Sequence, residues 1–406
     1  MSEGADSSAL VAQYSPTEGE AGWLRALRDD AIARFEAIGF PTSHLEDWKY
    51  TAAPARAIAK GRFAPVSSAP QISGPAESLA SVLAEDAVSL DGKIGSIAQA
   101  KDDAFVALNT AFFSDGAVVR VPRGEVITEP IHIVFEAQAA MTAPRVWIEA
   151  EPNSSATIVI EFASATNETS FSSSVFEANL GANAELQLVV LQREHDAALH
   201  VSRGFVRQER DSRFTAHTVT LGGKLVRNDI EVVLAEEGAN ATLNGLFLGT
   251  ASRHVDNHTL VDHAVPHGTS HEMYKGILGE TSRGVFRGRV IVRPDAQKTS
   301  AEQHNANILL GNKAEIDTKP QLEIYADDVR CSHGSTIGQL DTDALFYLRA
   351  RGISKDDAYL LLVEGFANEI FDEIRDVSIA GKSLSERIRA LFLDSLSGLA
   401  AVGGGG

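Results

Sequence analysis

A long stretch of period-two alternation, broken at regular intervals by the same kind of turn, constrains the fold of this chain more than any other feature. From Ala117 to about Leu340, short β-branched runs follow one another: Val118-Val119-Arg120-Val121, Ile131-His132-Ile133-Val134, Thr157-Ile158-Val159-Ile160-Glu161-Phe162 and Glu185-Leu186-Gln187-Leu188. Such alternation sends successive side chains to opposite faces of a strand. Asn153-Ser154-Ser155-Ala156, Gly181-Ala182-Asn183-Ala184 and Gly238-Ala239-Asn240-Ala241 each precede an alternating run. The second and third lie 57 residues apart, with Arg210-Asp211-Ser212-Arg213 about halfway between them. A turn of small residues and Asn recurring every ~28 residues marks stacked coils in a solenoid. The units are short and β-branched, with no long amphipathic helix, so the solenoid is a β-helix rather than a helical repeat. Stacked coils leave unpaired strands only at the two ends, and those ends need covers. The helical stretches on either side are expected to supply them.

The flanks read differently. Residues 1–19 are polar and small, as in a frayed end. Trp23, Leu24, Leu27, Ala31, Phe35 and Ile38 then recur at helical spacing, closed by Gly39 and Pro41. Ser43 to Thr51 reads as a loop anchored by Trp48 and Tyr50. Residues 61–78 are rich in Pro, Ser and Gly and read as a linker; a mixed segment reaches about residue 104, and Phe105 to Phe113 leads into the β region. Past residue 340 the period changes. Asp341 to Ala350 is helical, Gly352 breaks it, and Ser354-Lys355-Asp356-Asp357 has capping-box spacing. Ala358, Leu361, Leu362, Phe366 and Ile370 line one face of the next helix, and Ile388, Leu391, Phe392 and Leu396 line the last; Gly403–Gly406 reads as a disordered tail. Three regions result: an N-terminal helical region with linker (1–104), a β core (105–340) and a C-terminal helical region (341–406). Phe346, Tyr347, Leu360 and Phe371 spread apolar surface beyond a single stripe, which makes 341–374 a candidate docking surface; core packing is the plainer alternative.

Candidate chemistry concentrates at the end of the β region, in Cys331-Ser332-His333-Gly334, which holds the only cysteine. A thiol and an imidazole two residues apart are a candidate soft-metal or sulfur-handling pair. The plainer reading is a buried thiol acting as a small apolar residue. Five histidines (His254, His258, His263, His267 and His271) crowd a short stretch, yet His254 and His258 on one strand would share a face about 13 Å apart. Hydrogen-bonded side chains on the solenoid surface are therefore expected there, not a metal site. One cysteine excludes an intramolecular disulfide and a four-thiolate cluster built by this chain alone, and fits a reducing compartment. No Gly-x4-Gly-Lys-Ser/Thr loop occurs, so the chain itself is not expected to hydrolyse nucleotide. A net charge of −19 argues against nucleic acid and favours cationic partners. The first twenty residues carry Glu3, Asp6, Glu18 and Glu20 without Lys or Arg, and no apolar run approaches the ~20 residues that cross a bilayer; a cytoplasmic protein is expected. Two classes compete: a scaffold subunit whose chemistry arises at an interface, and a β-helix lyase or hydrolase acting on polysaccharide. An aromatic content of 7% and the lack of a secretion signal favour the scaffold.

Many short matches in one order, covering most of the chain, resemble the SufB/SufD family of iron–sulfur cluster assembly scaffolds. They include Gly284-Val285-Phe286-Arg287-Gly288, Lys298-Thr299-Ser300-Ala301, Asp317-Thr318-Lys319-Pro320-Gln321-Leu322-Glu323-Ile324, Cys331-Ser332-His333-Gly334, Thr336-Ile337-Gly338 and Phe346-Tyr347-Leu348. Glu46-Asp47-Trp48-Lys49-Tyr50-Thr51 is similar to the Glu-x-Trp-Lys-Tyr-Thr signature of the SufD branch. The resemblance implies a right-handed parallel β-helix flanked by helices. It implies a non-catalytic subunit that pairs with a SufB-like subunit and recruits a SufC-like ATPase through its C-terminal helices. His333 matches a histidine that the family places at the SufB interface and implicates in assembly; Cys331 matches the cysteine beside it. The implied cofactor is a nascent iron–sulfur cluster, transient and shared with SufB, with none held stably by the isolated chain. A homodimer is the alternative assembly when the chain is alone.

Overall fold

In the computed structural model, residues 7–400 are described, apart from Arg62, Ser68, Lys101, Asp102, Asp376 and Ala380; the Gly403–Gly406 run lies outside them. The alternating segments form two long sheets. Sheet one stacks β1 (Gln71–Ser73), β4 (Ile131–Ala137), β7 (Ser155–Ser164), β9 (Glu185–Gln192), β11 (Arg213–Thr220), β13 (Asn240–Gly249), β15 (Thr269–Leu278), β17 (Ser300–Leu309) and β19 (Arg330–Gly338). Sheet two stacks β2 (Glu77–Ser78), β3 (Gly116–Val121), β6 (Arg145–Ala150), β8 (Phe171–Leu180), β10 (Leu199–Gln208), β12 (Leu225–Leu234), β14 (His254–His263), β16 (Arg283–Val292) and β18 (Glu315–Ile324), with the short β5 (Met141–Thr142) beside β8. The chain alternates between the sheets, and pairing within the coils is parallel: a β-helix, as the alternation predicts. Ser155, Glu185, Arg213, Asn240, Thr269, Ser300 and Arg330 stand in one column up sheet one. One coil takes between 26 residues (Leu199 to Leu225) and 32 residues (Arg283 to Glu315).

The recurring turn is a backbone requirement. Asn153, Asn183, Asp211, Gly238, His267 and Lys298 each take a positive φ just ahead of a sheet-one strand. Asn, Asp and Gly tolerate that conformation best, which is why they mark the repeat. The turns also stack: the amides of Asn153, Asn183, Asp211, His267 and Lys298 donate to carbonyls one coil on, and Asn183 Nδ2 donates to Asn153 Oδ1 at 3.2 Å.

Inward positions such as Leu186, Leu188, Phe214, Leu243, Val206 and Val232 fill the coils. The outer faces are apolar as well, and this is what recruits the helices. On sheet one, Val159, Val189, Leu191, Val219, Leu246, Leu248 and Ile277 meet α7 (Lys355–Asp372) and α8 (Leu384–Ala400), helices numbered with α1 (Ser8–Val11), α2 (Gly22–Ile38), α3 (Ala52–Lys60), α4 (Leu79–Asp86), α5 (Ala104–Phe112) and α6 (Thr342–Ala350). Arg387 of α8 donates to Glu161 Oε2 at 2.8 Å, and Lys275 Nζ to the Phe366 carbonyl at 2.9 Å. The C-terminal helices thus lie along the side of the solenoid and do not cap its end, contrary to expectation. The face of α7 also differs. Ala358, Val363, Ala367, Ile370 and Phe371 are buried while Leu361 is 48% exposed. Apolar residues of α7 extend beyond the buried stripe, at Leu361 and Leu362, so the sheet beneath selects which of them face inward.

At the other end the cover is real but made differently. β1 runs antiparallel to β4, and β2 antiparallel to β3, so the 61–78 stretch supplies edge strands rather than a free linker. Extended Pro- and Ser-rich backbone suits an edge that must stop further pairing. Residues 8–11 form a helical turn that buries Leu10, and 104–112 is helical, with Asp103 Oδ1 accepting from the Phe105 and Val106 amides at 2.9 Å. The N-terminal helices pack through Phe35, Phe40, Trp48 and Phe105 on the outer face of sheet two, against Phe171, Leu199, Val201 and Leu225. No helix among the described residues is long and apolar enough to cross a membrane.

Candidate functional site

The C-terminal end of the solenoid is open. No strand among the described residues pairs with the outer edge of β18 or β19, and neither contains a buried residue. Register shows why this matters. Ile316, Thr318, Pro320, Leu322 and Ile324 continue the inward column of Gly284, Phe286, Gly288, Val290 and Val292. Cys331, His333, Ser335 and Ile337 continue that of Ala301, Gln303, Asn305 and Asn307. Side chains that would be core in any earlier coil therefore form a roof. Ser335 Oγ donates to Thr318 Oγ1 at 3.0 Å and joins the two sheets there. Ile324, Tyr325 and Ile337 are 42%, 61% and 51% exposed.

Cys331 and His333 share this roof but differ in environment. Cys331 is half-buried against Val290, Val292, Ala301 and Leu322. Burial pushes its thiol above the ordinary value, partly offset by a hydrogen bond at the Ala301 backbone. Its thiol therefore stays protonated near neutral pH, and the side chain is half-buried rather than buried as in the plainer reading of the sequence. His333 is exposed and stands in register over Gln303. Among the described residues, no three His, Cys, Asp or Glu side chains converge to hold a metal ion.

The histidines at 254–271 disperse. His258 Nε2 lies 2.9 Å from Asp256 Oδ1 and His271 Nδ1 3.5 Å from Glu302 Oε2, both rings partly exposed, as expected. His267 occupies a left-handed turn. His254, by contrast, is buried against Thr51 Oγ1 at 2.9 Å, and His263 points inward to Ser270 Oγ at 2.9 Å, where burial lowers its pKa to about 4.

A constellation that sequence reasoning missed lies under the Glu46–Trp48 turn. Trp48, as expected, anchors its loop, stacking on Phe105 at 5.1 Å between ring centres. The Arg227 guanidinium sits 3.9 Å above the Trp48 ring and donates to Asp256 Oδ2 and Asp229 Oδ2, both at 2.9 Å, and to the Asp47 carbonyl at 2.6 Å. Burial alone would raise the carboxyls of Asp229 and Asp256; Arg227, Arg203 and His258 at Asp229, and His258, Arg227 and the Thr51 hydroxyl at Asp256, outweigh it and hold both below the usual carboxylate range. A cleft of about 640 Å³ opens beside them, lined by Arg203, Glu231, His258 and Arg289 among others. Its buried charges neutralise one another. The alternation Arg227-Asn228-Asp229 was the available signal, because it puts Arg227 and Asp229 on one outer face.

The four docking candidates separate by burial. Phe346 and Tyr347 are 74% and 57% exposed on α6, a helix with no buried residue. Leu360 is half-buried against the C-terminal cluster. Phe371 is fully buried, edge-on to Phe392 at 5.4 Å, so it belongs to the core and not to a docking surface. Phe371→Ala is expected to cost about 3–5 kcal/mol of unfolding free energy in a urea titration; a loss below ~1 kcal/mol would contradict this packing.

The fold defines the class: a parallel β-helix with helices along its sides and, among the described residues, two sheets whose last strands are unpaired on their outer edges. The model described as SUF system FeS cluster assembly, SufBD core domain, matches residues 133–366, and that of the SufBD protein N-terminal region matches 72–133. The chain belongs to the SufBD family of the SUF iron–sulfur cluster assembly system. It is 36% identical over 293 residues to a SufBD family protein of Synechocystis sp., covering 69% of this chain and 65% of that protein, so it spans just under two thirds of that relative's length. It is 31% identical over 378 residues to the iron–sulfur cluster assembly protein SufD of Escherichia coli, covering 86% of this chain and 88% of that one. A SufBD family protein of Mycobacterium leprae is 32% identical over 294 residues, covering 70% and 74%. The polysaccharide-enzyme alternative finds no support in these matches.

Proposed function

We propose that this chain is a SufD-type, non-catalytic scaffold subunit of a cytoplasmic SUF complex, joined through its open end to a SufB-type subunit. His333 and Cys331 then face a nascent cluster shared between the two, and a SufC-type ATPase docks on α6 and α7 through Phe346 and Tyr347. The observation that carries the reading is the roof: core-type side chains left uncovered between the edges of β18 and β19. Unpaired strand edges are templates for another chain, and a second solenoid end would extend both sheets. Co-purification with SufB-type and SufC-type chains tests it. Charge placed in the roof, as in Ile337→Lys with Tyr325→Lys, should abolish pairing with the SufB-type chain and any homodimer formed by the same end. Undiminished pairing by that folded variant would reject the interface.

The ATPase surface is tested separately. Phe346→Ser with Tyr347→Ser should weaken SufC-type binding at least ~10-fold while unfolding free energy moves by no more than ~0.5 kcal/mol, as for surface positions. A folded double variant with unchanged affinity refutes the assignment. The isolated chain should also hold no stable cluster, because one cysteine falls well short of the four protein ligands a cluster usually takes. After anaerobic reconstitution and desalting, iron and sulfide should be well below stoichiometric in the monomer; a persistent stoichiometric load would overturn the shared-cluster reading.

A further inference from the structure

Beneath His333 the solenoid interior turns polar. Glu272 on β15, Gln303 on β17 and His333 on β19 stack as register partners, all at inward positions. Adjacent strands lie about 4.8 Å apart, so each side chain is within reach of the next. Glu272 and Gln303 are both 0% exposed, whereas His333 opens to the roof. Glu272 Oε2 accepts from Thr259 Oγ1 across the interior, but its Oε1 and both polar atoms of the neighbouring Gln303 amide make no well-aligned hydrogen bond. Gly288 faces that amide from sheet two, where an added Cβ would lie 2.0 Å from Nε2, so only glycine leaves the amide its place. Buried polar atoms left open in this way call for an explanation.

We propose that Gln303 and Glu272 are positioning residues for His333: Glu272 orients the Gln303 amide, and the amide fixes which ring nitrogen of His333 is free at the open end. The inference rests on the His333 role proposed above. An amide has a donor end and an acceptor end. An ionised Glu272 takes the NH2 end and turns the carbonyl oxygen up to His333. The ring then donates its N–H inward and keeps a lone pair outward, the arrangement in which imidazoles ligate metals. A protonated Glu272 donates to the amide oxygen and turns the NH2 up. His333 then accepts inward and presents an N–H, which cannot coordinate. Burial pushes Glu272 up to about 7, with Thr259 and Gln303 pulling the other way, so both states are accessible near neutrality. The other titratable groups of this layer, Tyr274 and His263, are held neutral by burial.

The test reads the ring itself in the full chain. With 15N-labelled histidine, the His333 signals are identified by their loss in His333→Gln. At pH 8.5 the wild type is expected to show one tautomer. Gln303→Met and Glu272→Gln, both near-isosteric, are expected to give a mixture and to lower cluster assembly at least ~10-fold in the complete complex, since second-sphere partners contribute 10–100-fold. If His333 keeps the wild-type tautomer in both variants, the inference is overturned whatever assembly does. If the tautomer shifts but His333→Ala assembles clusters normally, the positioning stands and the His333 role falls. Should Gln303→Met fail to fold, Glu272→Gln carries the same readout.

Discussion

Replacing His333 by alanine is expected to abolish cluster assembly by the complete complex while leaving the chain as stable as before. The ring is exposed on the last strand of sheet one, where among the described residues no coil covers it and water can take its place over Gln303. Truncating an exposed side chain away from such structural features changes unfolding free energy by no more than ~0.5 kcal/mol. A core histidine losing its partners would instead cost ~1–3 kcal/mol and lower the melting temperature. Melting temperature, co-purification with the SufB-type chain and cluster yield, measured on this one variant, separate the two. A destabilised protein that still supports full assembly would reject the assembly role.

Arg227→Ala should cost about 3–5 kcal/mol of stability at pH 7, because it strands two buried carboxylates and removes the cation above Trp48. The pH dependence follows from the direction of the shifts. Asp229 and Asp256 are held below their unfolded values, so their contribution is fully present above about pH 4 and is lost as pH falls through the folded values. Without Arg227 both carboxyls rise and accept protons more readily in the folded state. The gap between wild type and variant should therefore be widest near pH 7 and shrink in acid. Urea titrations at pH 7 and pH 4 measure it, and a gap below ~1 kcal/mol at pH 7, or one that widens in acid, contradicts the account.

Some of the site is legible in the sequence alone. Cys331-Ser332-His333-Gly334 stood at the end of the last alternating run, so its place at one end of the stack was readable. That this end stays uncovered is not readable, because Asp341 to Leu396 reads as a cap. Only the apolar outer positions of sheet one, from Val159 to Ile277, explain why α7 and α8 settle on the flank. Phe371 and Phe346 are equally apolar in sequence, and nothing local separates them. Burial does, because Phe371 meets Phe392 while α6 packs no side chain into the core.

What the sequence determined by itself is what repeats along the chain. Period-two alternation dictates which side chains face in, and the need for a left-handed residue at Asn153, Asn183, Asp211 and Gly238 dictates where each coil turns. Both are local, enforced by backbone sterics within a few residues. What only the tertiary structure decided is everything that depends on which coil lies above which. The column of Glu272, Gln303 and His333 and the meeting of Arg227 with Trp48 join residues from about 30 to nearly 180 positions apart in sequence. Coil lengths that vary from 26 to 32 residues hide such registers from any fixed period, and only the hydrogen-bonded stack resolves them.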